Sequence, residues 1–572
     1  MLDLTVIIRF LLFIVSNFGY YSFLRKHTRI HESFYPILTV GFQVSILFLA
    51  GLLNLLHRTA DLIFLLGLLL VLQDLRKKKL SRYRTFGTDA YFYLLAGTAA
   101  LALVLAGSRF THYDNFSHWA VVVKDMLRTN RMPNFESTMI VFQAYPLGSA
   151  LYIYYFCTLI GDRESFQMLA QAFMMLTAIM PLFSLVKKHR IWNLIYLLLF
   201  TNLVFVALIP LTDLLVDTLL PLFGMVSVFY IYRECRQQPS GDIRQQKTAI
   251  YLSIPLLITV VMIKNAGVLF MLMALGLLAV QWIRVPGVRK CGAAAMLSPL
   301  AALLIWERHC LYVFYGARVS KHAMTAANYR GNFAEKTAED MAQIVSAAFT
   351  YMLRYRGLIW VLLLAAAAVL LTWLFRRERI RDSLGCAAFV HFLYGIYTLG
   401  ICAMYVFSMP LGEALTLDSI DRYAGTVMIA ICYVFAGFYL SIAAETEGKL
   451  RYPAVCAAML LSLVLPWMTE YHLAWVHGSR DTEARDWMEQ QILTYEIPEG
   501  ASCYVFTDQS YFYYLGRYLL WSDQVAAGGT LDPEVLSQGY EYIILEKQGD
   551  MDSWILENYP DQAGQTVLRI GE

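Results

Sequence analysis

Charged residues are scarce in this sequence. Only 16% of its 572 residues are charged, whereas 58% are hydrophobic. Water-soluble globular domains carry about 25% charged residues, so a long chain with so few must be solvated mainly by lipid. The shortage of charge excludes a soluble enzyme, a nucleic-acid-binding module and a disordered scaffold.

The cysteines lack any pattern that would indicate a metal site or a disulfide framework. Nine of them are scattered singly, with no Cys-x-x-Cys pair and no Cys/His cluster. The sequence also lacks an internal repeat of the length that solenoids show. The first apolar run has neither a basic n-region nor a small-residue cleavage site, which predicts a retained span.

Acidic residues are sparse in most of the chain and concentrated at its end. The whole chain has a net charge of +3. Residues 471–572 contain 17 acidic and 5 basic side chains, a net of −12, which leaves +15 for the first 470 residues. The sequence therefore joins an acidic tail to a basic, apolar body.

The apolar runs of the body predict about fourteen transmembrane helices, since a span needs about 20 mostly apolar residues. The runs lie near residues 4–22, 35–57, 60–73, 90–107, 166–186, 191–209, 214–232, 250–263, 266–282, 292–306, 357–375, 384–408, 424–443 and 452–468. The predicted fold class is an all-α polytopic protein of the plasma membrane with a small α/β domain at its C-terminus.

Lys and Arg residues cluster in seven connections between these runs. Because cytoplasmic loops are enriched in Lys and Arg, we assign the seven connections to the cytoplasm. They lie at residues 25–29, 76–84, 187–190, 233–247, 284–290, 376–381 and 449–451. The alternation closes only if the run at 145–160 does not cross the membrane. The segments then predicted outside are the loops 108–146, 307–356 and 409–423, the turns at Asp213 and Lys264, and the acidic tail.

The tail has the pattern of a small soluble α/β domain. Residues 501–507 and 540–545 are typical of buried strands, and residues 481–493 and 533–538 are typical of helices. The predicted regions are extra transmembrane helices at 1–89, a transmembrane core at 90–470 and an extracytoplasmic domain at 471–572.

Ionisable residues lie beside the predicted spans at four places, all on the predicted outer side, and such groups are candidates for function. The first place is the stretch 111–119, THYDNFSHW, where Asp114 stands between His112 and His118. This stretch fits an ordinary interfacial loop, and by residue type the three side chains also fit a zinc site. The spacing at 120–132 predicts an amphipathic helix on the membrane surface.

The second place is the pair of acids at the start of the predicted span near residue 214. Asp213 and Asp217 are four residues apart, which on a helix would place them on one face. Two interpretations stay open here, a functional pair of acids and a helix N-cap formed by Thr212 or Asp213.

The third and fourth places carry cations. Lys264 interrupts an otherwise apolar stretch, either in a turn between two short spans, as a ligand for an anion, or as a side chain that only snorkels. Arg422 stands just before a predicted span, where its planar fork suits a phosphate. The alternative for Arg422 is a pair with Asp418 or Asp421.

The predicted topology places these acids and cations on one face of the membrane, where they can line one cavity. A carboxylate there can accept the proton of an attacking hydroxyl. Two cations can stabilise a phosphate as it leaves. The combination is what transfer of a sugar from a lipid phosphate requires, and it predicts that Asp114, Lys264 and Arg422 converge.

The order of these motifs resembles the GT-C superfamily of polyprenyl-phosphate-sugar-dependent glycosyltransferases, of the protein-mannosyltransferase and aminoarabinose-transferase type. Asp114 matches the acid of the first large external loop, and Tyr-Pro-Leu at 145–147 is similar to a YPP-like segment. Asp213 matches an Asp that opens a later span, and Lys264 matches a Lys within an apolar hairpin. Residues 419–423 match a Ser-x-x-Arg-Tyr segment, and an external C-terminal domain is common in the superfamily.

The resemblance implies a membrane enzyme that moves a sugar from a polyprenyl-phosphate donor to an extracytoplasmic acceptor with inversion. The implied site residues are Asp114 as general base, Lys264, Arg422 and Tyr423 as donor-phosphate ligands, and Asp213, His118 and Tyr145 as substrate-positioning residues. The partners implied are the lipid-linked donor, the membrane lipid and an acceptor that is a surface glycan, a lipid or a protein, with no nucleic acid.

The sequence departs from the superfamily pattern in the first external loop. The superfamily often has two adjacent acids there, whereas this chain has Asp114 and Asn115, so no cofactor is predicted and use of a divalent metal stays open. Two other functions also stay open. One is a transporter or flippase of lipid-linked saccharides, which would need charges reachable from both faces. The other is a non-catalytic membrane scaffold.

Overall fold

The computed structural model describes most of the chain. The described residues are 3–79, 88–187, 190–236, 242–314, 325–446, 482–530, 538–547 and 557–570, together with residues 83, 86, 455, 457 and 459.

Twenty α-helices are numbered here in chain order among the described residues. The first ten are α1 (Leu4–His27), α2 (Tyr35–Leu52), α3 (Leu56–Arg76), α4 (Asp89–Val104), α5 (Ala120–Thr129), α6 (Gly148–Ile160), α7 (Glu164–Ile179), α8 (Arg190–Ala207), α9 (Leu219–Glu234) and α10 (Ile243–Ile263). The others are α11 (Gly267–Arg284), α12 (Arg289–Val313), α13 (Ala326–Ala334), α14 (Ala338–Arg354), α15 (Arg356–Phe375), α16 (Ile380–Phe407), α17 (Leu411–Thr416), α18 (Ile420–Glu445), α19 (Glu483–Thr494) and α20 (Ser510–Leu520).

The protein is a polytopic helical membrane protein, as the composition predicts. Within the described residues, ten helical segments are long and apolar enough to cross a membrane, and α4, α6 and α8 are shorter apolar helices. Each predicted span up to residue 443 overlaps a described helix. The predicted span near 452–468 falls almost wholly outside the described residues.

The helices differ in how much of their surface is covered by protein. The segment Glu164–Leu185, which contains α7, and the helix α18 are largely buried, whereas α3 is mostly exposed. On α3 the apolar side chains of Leu62, Leu65 and Leu69 are exposed. Exposed leucines at this density suit a surface that faces lipid, so α3 lies at the edge of the bundle. Because α7 and α18 are largely covered by protein, they lie at its centre.

The C-terminal region forms a small α/β unit around a four-stranded sheet of order β2-β1-β3-β4. The strands are β1 (Cys503–Phe506), β2 (Val525–Gly528), β3 (Tyr542–Leu545) and β4 (Val567–Arg569). β1 pairs in parallel with β2 and β3, and β3 pairs antiparallel with β4. Because parallel neighbours need a crossover, the chain between β1 and β2 contains α20.

The predicted strands and the first predicted helix of the tail are confirmed as β1, β3 and α19. The predicted helix at 533–538 lies almost entirely outside the described residues. β2 and β4 were not predicted, because Val-Ala-Ala-Gly and Val-Leu-Arg are too short to show an alternating pattern.

The helix predicted at 120–132 is present, but the prediction that it lies on the membrane surface is wrong. The helix α5 exists, but Val121, Val122 and Val123 are almost completely buried within the protein. On its polar side Lys124 donates a hydrogen bond from Nζ to the Tyr518 carbonyl of α20, at 2.8 Å. The apolar stripe therefore packs against protein, a choice that helical periodicity cannot distinguish from a lipid surface.

Candidate functional site

Four charged side chains from distant parts of the chain meet in one cluster, which we call the ion cluster: Asp114, Asp217, Lys264 and Arg422. Arg422 bridges the two acids, with Nη1 3.0 Å from Asp114 Oδ2 and Nη2 2.7 Å from Asp217 Oδ2. Lys264 Nζ lies 2.7 Å from Asp217 Oδ1. The convergence of Asp114, Lys264 and Arg422 that the sequence predicts is therefore present in the fold.

Asp217 is the hub of the ion cluster. Its side chain is 1% exposed, and each of its oxygens accepts from a different cation. Burial opposes ionisation, but the charges and hydrogen bonds of Lys264 and Arg422 outweigh it and hold the pKa of Asp217 below its ordinary value. Asp217 is thus a fixed anion that sets the spacing of two cations.

Asp114 occupies the more open side of the ion cluster. Its side chain is 14% exposed, and those of Lys264 and Arg422 are 17% and 20% exposed. Arg422 also has a buried Nε with no hydrogen-bond partner among the described residues. One N–H donor of the ion cluster is therefore not used by the described residues.

The turn before α9 places Asp217 and corrects a prediction. Residues 211–218 are not helical, and α9 begins only at Leu219, so Asp213 and Asp217 do not share a helix face. Asp213 instead accepts a hydrogen bond from Asn115 Nδ2 at 2.8 Å, and Asn115 Oδ1 accepts from the Leu214 amide at 3.0 Å. Asp213 fastens the turn and lies outside the ion pairs.

Asn115 and Gln171 are positioning residues that sequence reasoning missed. Asn115 is completely buried and joins the loop that carries Asp114 to the turn that carries Asp217. Gln171 on α7 donates from Nε2 to the carbonyls of Asp213 and Leu215, at 3.2 and 3.3 Å. The only signal in the sequence was the neutral amide of Asn115, which stands next to Asp114 where a second acid was expected. This signal does not indicate which groups the amide contacts.

Arg422 stands in the first turn of α18, after a tightly folded segment. Leu417 and Ser419 adopt left-handed backbone conformations with φ of 55° and 64°. The Asp418 carbonyl accepts from Tyr405 Oη at 2.7 Å, and the Asp418 side chain accepts from Thr416 Oγ1 at 2.6 Å. The alternative pair of Arg422 with Asp418 or Asp421 is therefore not formed.

Lys264 lies in the turn between α10 and α11, as one of the sequence interpretations expected. The turn closes through a hydrogen bond from the Gly267 amide to the Lys264 carbonyl at 2.8 Å. A Cβ on Gly148 would stand 2.7 Å from the Met262 carbonyl, so only glycine lets α6 approach the end of α10 this closely. Since its Nζ points to Asp217, Lys264 is not a snorkelling side chain.

Aromatic side chains surround the ion cluster. The ring of Tyr423 lies 5.4 Å from Lys264 Nζ, within cation–π range. Tyr145 stacks on Phe142 with ring centroids 5.1 Å apart and meets His118 edge-on at 4.9 Å. Burial is the main cause that raises the pKa of Tyr145, and the nearby charges of Asp114 and Asp217 add to it.

His118 belongs to this aromatic packing. It is 3% exposed, its Nδ1 has no hydrogen-bond partner among the described residues, and burial lowers its pKa to about 3. The Asp114 amide donates to His112 Nδ1 at 3.1 Å, and Asp114 itself pairs with Arg422. The described residues contain no group of three His, Cys, Asp or Glu side chains that could hold a metal ion, so the trio His112, Asp114 and His118 does not fit one.

The C-terminal unit contacts the backbone of the segment at Phe110, which leads to Asp114. Arg485 of α19 donates to both oxygens of Glu164 at 2.8 and 2.9 Å. The same two side chains hold both backbone groups of Phe110, whose amide donates to Glu164 at 2.7 Å and whose carbonyl accepts from Arg485 at 2.7 Å. Tyr518 donates to Glu164 at 2.9 Å. We call this arrangement the Arg485 clamp.

Comparison with known proteins adds little to this geometry. No family model matches the chain, and no curated protein matches it significantly. Among solved structures, the chain is similar to the crystal structure of ArnT from Cupriavidus metallidurans in the apo state, with 10% sequence identity and a TM-score of 0.34 over 82% of this chain and 94% of that chain. A likeness of this size assigns neither a family nor an activity.

Proposed function

We propose that this protein is a membrane glycosyltransferase of the GT-C type, which moves a sugar from a polyprenyl-phosphate donor to an extracytoplasmic acceptor. The observation that carries the proposal is the ion cluster, in which one arginine spans the two carboxylates and a lysine pairs with the inner one. Three of these residues come from separate loops or turns and Arg422 comes from the start of α18, so four distant parts of a lipid-embedded chain bring costly charges to one place.

In this mechanism the two cations bind the donor phosphate. Arg422 Nε has no hydrogen-bond partner among the described residues, and Lys264 uses one of its donors on Asp217. When the bond between the sugar carbon and the phosphate oxygen breaks, negative charge accumulates on that oxygen. The cations, held apart by Asp217, stabilise this charge and thereby lower the barrier.

Asp114 acts as the general base. An acceptor hydroxyl loses its proton to Asp114 as its oxygen bonds to the sugar carbon, and the polyprenyl phosphate leaves from the opposite side with the bonding electrons. A single displacement of this kind inverts the configuration at the sugar carbon. Asp114 suits the role better than Asp217 because it is the more exposed carboxylate.

The acceptor approaches on the side of Asp114 that faces the C-terminal unit. Tyr113 is half exposed there, and its ring lies 6.3 Å from that of Tyr514 on α20. A glycan, a lipid headgroup or a protein loop can contact these rings. In this proposal the face and the C-terminal unit lie on the extracytoplasmic side of the plasma membrane. This orientation agrees with the distribution of Lys and Arg.

The test is transfer by the purified, reconstituted protein from a polyprenyl-phosphate sugar. Asp114→Asn keeps the shape of the side chain and removes its basicity, so turnover should fall at least about a hundredfold. Asp421→Asn is the matched control, because Asp421 is exposed on the same turn of α18 as Arg422 and lies outside the ion cluster. Equal turnover in the Asp114→Asn variant and the wild type would remove Asp114 from the mechanism. Movement of intact donor across the bilayer without transfer would instead favour a flippase.

A further inference from the structure

A polar cavity lies at the end of the helix bundle opposite the ion cluster. It has a volume of about 200 Å³ and is formed where α1 ends, α9 ends and α10 begins. Lys26, Arg29, Glu234 and Gln245 are among its lining residues. The candidate site above makes no use of any of them.

The helices themselves separate this cavity from the ion cluster. α9 is 16 residues long, begins two residues after Asp217 and ends at Glu234 in the cavity. α10 begins beside the cavity and ends just before Lys264. At 1.5 Å per residue, α9 alone spans about 24 Å, so the two sites lie at opposite ends of the same helices.

Three donor side chains in the cavity have no protein partner. Lys26, Arg29 and Gln245 make no side-chain hydrogen bond or ion pair with any described residue. Lys26 and Arg29 are exposed, and Gln245 is partly buried. Their donors are therefore available to a bound group.

Two acids near the cavity are already paired with other cations, and the Asp242 carboxylate accepts from backbone amides at the start of α10. Glu234 accepts from Arg233 Nε at 3.1 Å, and Glu32 lies 3.8 Å from Arg25. The charges of Lys26 and Arg29 are left without a counterion. The pKa of the neighbouring His31 is lowered to about 4, mainly by burial and in addition by the charge of Arg233.

We propose that this cavity binds a phosphate group through Lys26, Arg29 and Gln245. Arginine and lysine in a polar cavity between helix ends are the usual ligands of a phosphate, which comes either from an anionic lipid headgroup or from a soluble phosphate compound. Cations at the end of α1 also offset its helix dipole. That effect explains Lys26, but it explains neither Arg29 beyond the helix nor the amide donor of Gln245.

The experiment measures thermal unfolding of the full-length protein in two arms. In nanodiscs, phosphatidylcholine alone is compared with phosphatidylcholine containing phosphatidylglycerol. In detergent, inorganic phosphate is compared with chloride at equal ionic strength. The variants are the double substitution Lys26→Gln/Arg29→Gln, the single substitution Gln245→Ala, and Lys290→Gln as a control cation, exposed at the start of α12.

A ligand that binds only the folded state raises Tm, so the wild type and Lys290→Gln should gain roughly 2 °C or more from the phosphate-bearing additive. The double variant should lose this gain, and Gln245→Ala should lose part of it. A gain only with phosphatidylglycerol identifies a lipid headgroup, and a gain with inorganic phosphate identifies a soluble ligand. No gain in either arm, or an equal gain in the double variant, overturns the proposal. Because no transfer is measured, the result is independent of the proposed enzyme activity.

Discussion

At the level of single residues, the two carboxylates of the ion cluster are held to different degrees. Asp217 is almost completely buried, and both its oxygens are in ion pairs, whereas Asp114 is partly exposed and contacts Arg422 through one oxygen. A carboxylate fixed on both oxygens orients cations well and accepts a proton poorly. This difference is the reason why we propose Asp114 as the general base and Asp217 as the anion that orients the two cations.

Replacement of Asp217 by Asn should destabilise the protein strongly. The substitution leaves Lys264 and Arg422 buried without their shared counterion, and removal of one partner of a buried pair costs about 3–5 kcal/mol. Thermal unfolding in detergent should show a lower Tm, and transfer should be lost as the two cations separate.

Asp421→Asn serves again as the control and should leave Tm unchanged, because Asp421 is exposed. An unchanged Tm in the Asp217→Asn variant would mean that Asp217 is not the hub of the ion cluster.

The sequence analysis names Asp213 and Asp217 as a pair, but the resemblance implies a role, substrate positioning, only for Asp213. Both are acids beside an apolar run, and residue type alone cannot rank them. The difference comes from partners 47 and 205 residues away, Lys264 and Arg422. Contacts at such separations depend on how the helices pack.

At the level of elements, the loop between α4 and α5 is the segment that carries the candidate base. It ends in a π-helical turn, Asn115–Trp119, whose residues are all buried. Asn115 ties this turn to the one before α9, and His118 packs into the neighbouring aromatic side chains. The loop is thus an ordered part of the bundle, although its sequence also fits an ordinary interfacial loop.

The burial of His118 should make stability depend on pH. Because the pKa of His118 is lowered to about 3 in the fold and is about 6.5 in an unfolded chain, the unfolded state binds more protons between these values. The free energy of unfolding should therefore fall as pH drops below 6.5, by about 2 kcal/mol at pH 5 from this residue alone.

The measurement compares unfolding of the wild type and of His118→Phe between pH 7 and pH 5, since phenylalanine keeps the ring and cannot titrate. The variant should lose less stability than the wild type. His57→Phe, at an exposed position on α3, should follow the wild type. If all three proteins show the same slope, His118 is not buried as a neutral ring.

At the level of the whole molecule, the C-terminal unit is joined to the membrane bundle by charged and aromatic contacts. The Arg485 clamp holds the backbone at Phe110, four residues before Asp114. Arg109 pairs with Glu489 at 2.7 Å and also with Asp486. The acidic character of the tail thus has a structural use, because its acids meet cations of the bundle.

Arg485→Gln should loosen the C-terminal unit and misplace Asp114. The substitution leaves the partly buried Glu164 without its counterion, so Tm should fall, and transfer should fall with it although Arg485 touches no reacting group. A shifted pH profile of the remaining activity would show that the effect acts through Asp114, which a general loss of folded protein would not produce.

Arg569→Gln is the matched control, since Arg569 lies on β4 of the same unit and makes no ion pair among the described residues. Its Tm and pH profile should equal those of the wild type. Normal activity and Tm in Arg485→Gln would show that the clamp does not position the loop.

The sequence by itself determined the class of fold, because the length of an apolar run and the number of charges within it decide whether a segment crosses lipid. It also determined the small α/β unit at the end and the residues whose charges are costly near lipid. These are local properties, and one segment suffices to evaluate each of them.

Only the tertiary structure decided which of these charges meet. The bridge of Arg422 between Asp114 and Asp217 joins residues 308 and 205 positions apart, and the pairing of Asn115 with Asp213 spans 98 positions. Such pairs form because the packed helices leave a buried charge no better partner, a condition that depends on the whole bundle. For the same reason α5 faces protein and not lipid, since its pattern of apolar residues suits either surface equally.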